Sequence, residues 1–420
     1  MKKLAICVPN YNRPDYLNKL LTECIESINN SSYKNDIEIC VSDDCSEEDI
    51  TEYMNEIIGD NQDIQITFRK NHTNLGMGMN FASSVEMCDS EYCLLMGSDD
   101  SFYNQDSLDR IIKALYDTSA DILLFPYFLY NHSIFEPRYM YPLSEDLESR
   151  FFDFSVKSDC DFWFDKKHRP EYFIFLSNVV FKKVNWVKSL KNHKWSAKNI
   201  YFQACNHLQT LFARGGGYLF YLNEPLVKRN WSFDPHFHFN PRFTYKFFCD
   251  FHDLATCFFS GEHKEWAIDN WLSVSDYFAA LFSTELNDSE KSHLRSLASN
   301  RIKRFERRFM ITDLQNFISE SSFSSLSKKT ILLFGCGKFG EQYKLMCEAH
   351  NCTPYAYVDN DKPKHGKIIN GLEVISFEKS LEIPNSVYII SVATISDIFE
   401  EIYEQLLSAG VSIKDVFIIR

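Results

Sequence analysis

Apolar residues come in short, bounded runs separated by stretches with helical spacing, and this alternation repeats through the first third of the chain. Leu4-Ala5-Ile6-Cys7-Val8 lies within residues 3–9 and predicts a buried strand that leaves on a Pro9-Asn10 turn. Past Tyr11-Asn12-Arg13-Pro14-Asp15, the residues Leu17, Leu20, Leu21, Cys24 and Ile25 recur at the period of a helix. IEICVSDDCS (37–46) predicts a second strand ending in Asp43-Asp44, and Ser46-Glu47-Glu48-Asp49 predicts a helix opened by a capping box. IQITFRK (64–70) predicts a third strand, residues 78–87 a helix, and Tyr92–Met96 a fourth strand that runs into Gly97-Ser98-Asp99-Asp100. A helix over 106–117 and a strand over 120–126 continue the series. Strands and helices alternating at this pitch predict an α/β fold with a parallel sheet wound from βαβ units.

The pattern then changes. Residues 127–262 are irregular and aromatic, 243–320 read as helical, and SESSFSSLSKK (319–329) has the composition of a linker. A second α/β unit follows. KTILLFGCGKFGEQYKLMCEAH is a strand, a G-x-G-x-x-G turn (Gly335, Gly337, Gly340) and a helix, with Asp359 ending a second strand nineteen residues past Gly340. That context suits a phosphate at the helix N-terminus and a ribose on the acid. The segment is short for a whole dinucleotide fold, so a nucleotide site and a partner-docking module both stay open. The expected divisions are 1–242 (halves 1–130 and 131–242), 243–327 and 328–420.

Composition narrows the class. The 420 residues are 45% hydrophobic and 24% charged, a globular balance on a chain long enough for two or three domains. A formal charge of −14 argues against nucleic acid as a partner. Thirteen cysteines without C-x-x-C spacing suggest a reduced, cytoplasmic protein. No run approaches the ~18 apolar residues of a spanning helix, so any membrane contact is expected to be peripheral. RIKRFERRFM (301–310) lines up Arg301, Arg304 and Arg308, with Lys303 and Arg307 nearby, as an anionic-surface contact or a solvated linking helix.

The acids after the fourth strand carry the chemistry. A strand ending in Gly-Ser-Asp-Asp places its carboxylates at the carboxyl edge of the sheet, where open α/β sheets bind ligands. They suit a divalent cation held against a diphosphate, or a plain acidic turn. VPNYNR, EICVSDDCS, N-L-G-x-x-x-N and LLMGSDD, in that order and spacing, resemble the family 2 glycosyltransferases of the GT-A fold. YLFYLNEPLVKRNW resembles a later family segment. The resemblance implies a GT-A domain followed by a helical linker and a small Rossmann-like α/β domain. It implies an inverting transfer of sugar from a nucleotide donor, UDP-linked, to a hydroxyl of a surface glycan carried free or on a lipid.

The site residues it implies are Pro9, Tyr11, Asn12, Asp43, Asn74 and Gly76 on the nucleoside, with Asp43 accepting from the base. Asp99, with Asp100, would hold Mn²⁺ or Mg²⁺ against the diphosphate. Gly97 departs from the family's D-x-D, which leaves ribose contact to Ser98. His236 falls where a histidine often completes such a metal site. The family's Glu-Asp, which supplies the base, has no counterpart near Gln203–His207, so His207 and Asp161 become the candidate bases, with Asp159 and Glu171 as rivals. Trp163 is a candidate acceptor platform. Two other readings stay open: a degenerate scaffold that only binds nucleotide-sugar, and a bifunctional enzyme whose C-terminal domain modifies the sugar.

Overall fold

The structure, a computed structural model, describes the chain apart from residues 132–133, 142–146, 164–174, 193–197, 213–215, 231–239, 272–273, 310–316, 319–325, 393–396 and 420. Two compact units emerge, Met1–Ser232 with Asp253–His263, and Phe233–His252 with Lys264–Arg420.

The first unit begins as the apolar runs predict. β1 (Lys2–Asn10), α1 (Pro14–Asn30), β2 (Ile37–Asp43), α2 (Thr51–Asp60), β3 (Gln65–Lys70), α3 (Met77–Met87) and β4 (Ser90–Leu95) alternate in order. β2, β1 and β4 are neighbours, all parallel, with β3 outside β2. Leu4 to Val8 and the whole of β2 are buried, because both faces of a parallel sheet are covered; such strands read as continuous apolar runs.

Two local expectations change. β1 continues through Asn10, which pairs with Asp43, so the chain turns after Asn10. Ser46 does not cap a helix: α2 starts at Thr51, and the Ser46 hydroxyl is spent on Asp43.

Next come β5 (Ser101–Phe102), α4 (Ser107–Thr118), β6 (Ile122–Leu124), β7 (Tyr127–Asn131), β8 (Ile134–Tyr141), β9 (Arg150–Asp153) and α5 (Lys157–Trp163). The unit adds β10 (Val179–Lys182), α6 (Lys183–Asn192), α7 (Phe202–Phe212), β11 (Tyr218–Tyr221) and β12 (Val227–Asn230). The main sheet has the order β3-β2-β1-β4-β10-β6-β11-β9, and a second sheet has the order β5-β12-β7-β8. The chain passes from the first sheet to the second between β4 and β5, and the acid turn 97–100 lies in that passage.

The helical stretch is α8 (Pro241–Phe258), α9 (Gly261–Trp271), α10 (Val274–Leu281), α11 (Asp288–Leu297) and α12 (Asn300–Phe309). α11 carries a full capping box between Asn287 and Glu290. α12 is not the uniform basic stripe its sequence suggests. Arg301 is buried with its Nε 3.7 Å from Glu400, and Ile302 is fully buried. The Arg307 and Arg308 side chains lie outside the described residues.

The C-terminal segment forms β13 (Phe317–Ile318), β14 (Thr330–Phe334), α13 (Lys338–Ala349), β15 (Ala356–Val358), β16 (Ile368–Ile369), β17 (Leu372–Ile375), α14 (Phe377–Leu381), β18 (Ser386–Ile390), α15 (Asp397–Ser408) and β19 (Val416–Ile419). Their sheet has the order β13-β19-β18-β14-β15-β17-β16 and is parallel except at β16–β17. Its core includes Ile331, Leu333, Tyr357, Val387 and Ile389. Among the described residues no helix is long and apolar enough to cross a membrane.

Candidate active site

Three loops meet at the carboxyl edge of β1, β2 and β3, and a buried polar network joins them. Asp43 ends β2 with no exposed surface; its Oδ1 accepts from Asn10 Nδ2 (2.7 Å) and Ser46 Oγ (2.6 Å), its Oδ2 from Ser46 N (3.0 Å). The Asn12 N–H in turn donates to Ser46 Oγ at 2.8 Å, and Asn12 Oδ1 accepts from Glu47 N at 2.9 Å. Asn12 holds φ 54°, a left-handed conformation that asparagine tolerates better than most residues. Asp43, expected to accept from a base, is instead consumed in bracing the loop after β1. That loop presents Tyr11 and Asn12 to solvent, with Pro9 partly covered behind them.

The neighbouring carboxylate has a separate task. Asp44 Oδ1 accepts from Leu75 N (2.8 Å) and Asn71 Nδ2 (3.1 Å), and its Oδ2 accepts from Gly76 N (2.9 Å). Asn74 Oδ1 shares the Gly76 N–H at 2.9 Å. Gly76 sits at φ 82°, ψ 161°, a region open essentially to glycine alone, and it leads directly into α3. The sequence assigns Asp44 no role of its own; its one hint is that Asp44 doubles Asp43 just where the strand ends.

The acid turn is built around its glycine. A Cβ on Gly97 would lie 2.8 Å from Asp100 Oδ2 and 3.3 Å from Asp99 Oδ1, so the side chains of the acid pair occupy space that any other residue would need. The Ser177 hydroxyl donates to Asp100 Oδ2 at 2.5 Å and accepts from Gly97 N at 3.0 Å. Asp100 and Ser98 are buried, while Asp99 is partly open and meets Arg13 Nη1 at 3.1 Å. The Asp99–Arg13 contact joins the β1 loop to the acid turn.

The oxygen donors here suit a hard divalent cation, which commonly takes one or two carboxylates and completes its shell from phosphate and water. Asp99 is the accessible carboxylate of the pair, and Asp100 stands behind it held by Ser177. His236 and Glu171 lie outside the described residues. Among the described residues, Cys7, Cys88 and Cys93 form a three-residue group with sulfurs within 4.8 Å of one another. That group is buried in the core, and soft thiols do not suit Mg²⁺ or Mn²⁺.

Neither expected base is at this edge. His207 on α7 is buried, its ring centroid 5.0 Å from Phe181 and 5.7 Å from Trp186. Desolvation lowers its pKa to about 3, so the imidazole is a neutral core group. Asp161 lies at the opposite end of the sheet. Asp153 ends β9 beside Tyr218, the first residue of β11, which runs parallel to β6 at the far side from β1–β3. The Asp153 N–H donates to Asp159 at 2.8 Å, which holds the start of α5 at that amino edge. Two residues on, Asp161 pairs with Lys157 and with His263. Trp163 is no sugar platform either: it is 2% exposed and packs edge-on against Phe152 and Phe154.

In the second unit the structure does bring the expected residues together. Gly335 has φ 112°, and a Cβ on Gly340 would lie 2.2 Å from the Gly335 carbonyl oxygen, so α13 approaches its strand too closely for a side chain. Gly337 caps α13. Asp359 Oδ2 accepts from Cys336 N (3.2 Å) and Cys336 Sγ (3.0 Å). Burial acts to raise the Asp359 carboxyl, but hydrogen bonds from Cys336 and the Asp361 N–H, with the Lys364 charge, hold it below the usual carboxylate range.

Comparison with known proteins agrees with the four N-terminal motifs. Residues 5–173 match the model for glycosyl transferase family 2. Over 122 residues the chain is 43% identical to abequosyltransferase RfbV of Salmonella typhimurium, a stretch making up 29% of this chain and 34% of that protein. The chain thus spans about a third of the length of this curated relative. Among solved structures it is similar to S. aureus TarS 1-349 in complex with UDP, at TM-score 0.46 and 14% identity over 77% of this chain and 78% of that one. It is likewise similar to mannosyltransferase PcManGT from Pyrobaculum calidifontis in complex with GDP-Man and Mn²⁺, at TM-score 0.46 and 10% identity over 83% and 85% of the two chains.

Proposed function

We propose that the chain is a glycosyltransferase that moves a sugar from a nucleotide donor, UDP-linked, to a hydroxyl of a surface glycan. One observation carries the reading. The β1 loop, the Asp44-held loop 71–76 and the acid turn converge at the carboxyl edge of the parallel strands β1–β4, and the same N-terminal part of the chain matches the family 2 model. The exposed Tyr11 ring and Asn12 suit the nucleobase and ribose, with Asp43 fixing the loop from behind. The Gly76 loop closes over the nucleoside from the other side. The acceptor hydroxyl attacks in line and the sugar inverts.

Asp99 is the residue to hold Mn²⁺ or Mg²⁺, which when bound offsets charge on the departing diphosphate. Arg13, three residues beyond Asn10 and already at Asp99, is placed to share that neutralisation once a donor arrives. Gly335, Gly337, Gly340 and Asp359 form a second proposed nucleotide site in a Rossmann-like module. A cytoplasmic location, with the acceptor presented at a membrane, is the setting in which these parts work.

Incubation with a panel of sugar nucleotides, Mn²⁺ and a glycan acceptor, with products read by mass spectrometry, tests the proposal. Transfer from one donor class is the expected result. Tight UDP binding without transfer from any donor would leave a nucleotide-sugar scaffold instead.

A further inference from the structure

A cavity of about 880 Å³ opens within the first unit, lined on one side by Asn71, His72, Thr73 and Leu75 of the β3–α3 loop that Asp44 holds. Its walls are Met79, Ala82 and Val85 from α3 and Trp186, Val187 and Leu190 from α6. Its rim carries Arg69, Lys70, Lys183 and Lys191 against a single carboxylate, Glu86. In a chain of formal charge −14 this is a local reversal of sign.

Partners on the protein do not cancel the reversal. Arg69 donates to Ser83 and pairs with Glu86, and Lys70 pairs with Asp49. Lys183 donates to the backbone carbonyls of Glu86 and Cys88, which supply no countercharge. Lys191 is exposed. Two apolar side chains at the same mouth stay open to water, Leu75 and Met79, each more than two-fifths exposed. A contiguous apolar surface ringed by cations is unusual on a soluble face, and its size falls in the range of small-molecule sites, roughly 300–1,000 Å³.

We propose that the groove between α3 and α6 binds an anionic lipid, its hydrocarbon chain along the apolar walls and its phosphate at Lys183 and Lys191. The complement is chemical on both counts. A hydrocarbon chain removes the exposed Leu75 and Met79 surface from water, and a phosphate supplies the countercharge that the rim lacks. Long lysine arms at the edge of an apolar trough can also follow a headgroup as the chain settles. The site lies beside the loop assigned to the donor, so a lipid held here would bring a membrane-borne acceptor close to it. That consequence rests on the transferase reading; the lipid site itself does not.

The test is flotation of the full chain with phosphatidylglycerol vesicles and with phosphatidylcholine vesicles, with no sugar donor present. The expected result is binding to the anionic vesicles only, weakened at high salt. It should fall at least tenfold in Met79→Glu combined with Lys191→Glu, while an unchanged far-UV circular dichroism spectrum and melting temperature report an intact fold. Arg304→Glu on α12 is the control and should bind as the unaltered chain does. Loss of binding in Arg304→Glu but not in the groove variant would overturn the assignment, as would equal binding to both vesicle types. Binding that an acidic amphipathic peptide displaces but added phosphatidylglycerol does not would assign the groove to a protein partner and also overturn the proposal. Because no donor is used, failure here leaves the transferase reading standing, and the converse holds.

Discussion

Asp44 holds the loop before α3 by accepting the backbone N–H groups of two successive residues, Leu75 at 2.8 Å and Gly76 at 2.9 Å. Charge-assisted bonds from a buried carboxylate to main-chain donors are among the stronger kinds, and they fix a loop that Gly76 alone would leave free.

Asp44→Ala therefore strips the Leu75 N–H of its acceptor and leaves the Gly76 N–H to Asn74 Oδ1 alone. A hydrogen bond to a charged group contributes about 1.5–3 kcal/mol, and part of that is recovered from water at these partly exposed residues. Denaturant unfolding should show that loss, and calorimetric titration with UDP and Mn²⁺ should show affinity weakened by roughly tenfold, about 1.4 kcal/mol. Unchanged UDP affinity would detach this loop from the donor.

Asp99→Asn keeps the size of the side chain but removes its charge. Turnover should fall by ~10²–10³, the scale of losing one electrostatic contact in a transition state. The melting temperature should hold, because Arg13 and Asp99 form a largely solvated pair and such pairs contribute little to stability. Chelation with EDTA should silence the unaltered chain to a similar degree, and Mn²⁺ or Mg²⁺ should restore it.

Gly97→Asp would supply the first acid of the D-x-D pattern that the family 2 resemblance leads one to expect, yet it should impair this chain. The new Cβ would lie 2.8 Å from Asp100 Oδ2 and push that carboxylate off the Ser177 hydroxyl. Lower thermal stability and lower turnover are expected together. A gain in activity would show that the turn opens more readily than its packing implies.

His207 makes a prediction in pH. Its folded pKa, lowered to about 3 by desolvation, lies below the unfolded value near 6.5, so between those limits the unfolded chain binds the extra proton. Stability from this group is complete above about pH 6.5 and declines as pH falls through that window, at up to about 1.4 kcal/mol per pH unit. His207→Leu should flatten the acid limb of a stability–pH curve measured by denaturant unfolding. It should leave the pH profile of turnover unchanged, whereas a shifted profile would return the residue to catalysis.

Much of this architecture was legible in the sequence. Strands β1, β2 and β4 are covered on both faces, so their runs are largely apolar, broken in β2 only by the buried Glu38 that accepts from Asp89 N and Ser90 Oγ, and the acids stand where those runs stop. The division of labour between Asp43 and Asp44 was not legible. Adjacent strand-end residues send their side chains to different partners, and only the fold shows that Ser46 takes one and loop 71–76 the other. His207 and Trp163 misled for a common reason: a lone polar or aromatic side chain reads the same whether it faces a ligand or the core, and both are core. Arg13 and Ser177 were silent because their partners, Asp99 and Asp100, are 86 and 77 residues away in the chain.

The hydroxyl of Ser177 stitches Gly97 and Asp100 to a segment eighty residues downstream. Positions 97 and 177 should accordingly be inherited as a pair. A lineage that regains an acid at 97 loses the use for a small hydroxyl at 177, and one that enlarges 177 displaces Asp100 over a glycine with nothing else to fill the gap. Swapping the segment before residue 130 between related chains would then succeed only between chains that agree at both positions.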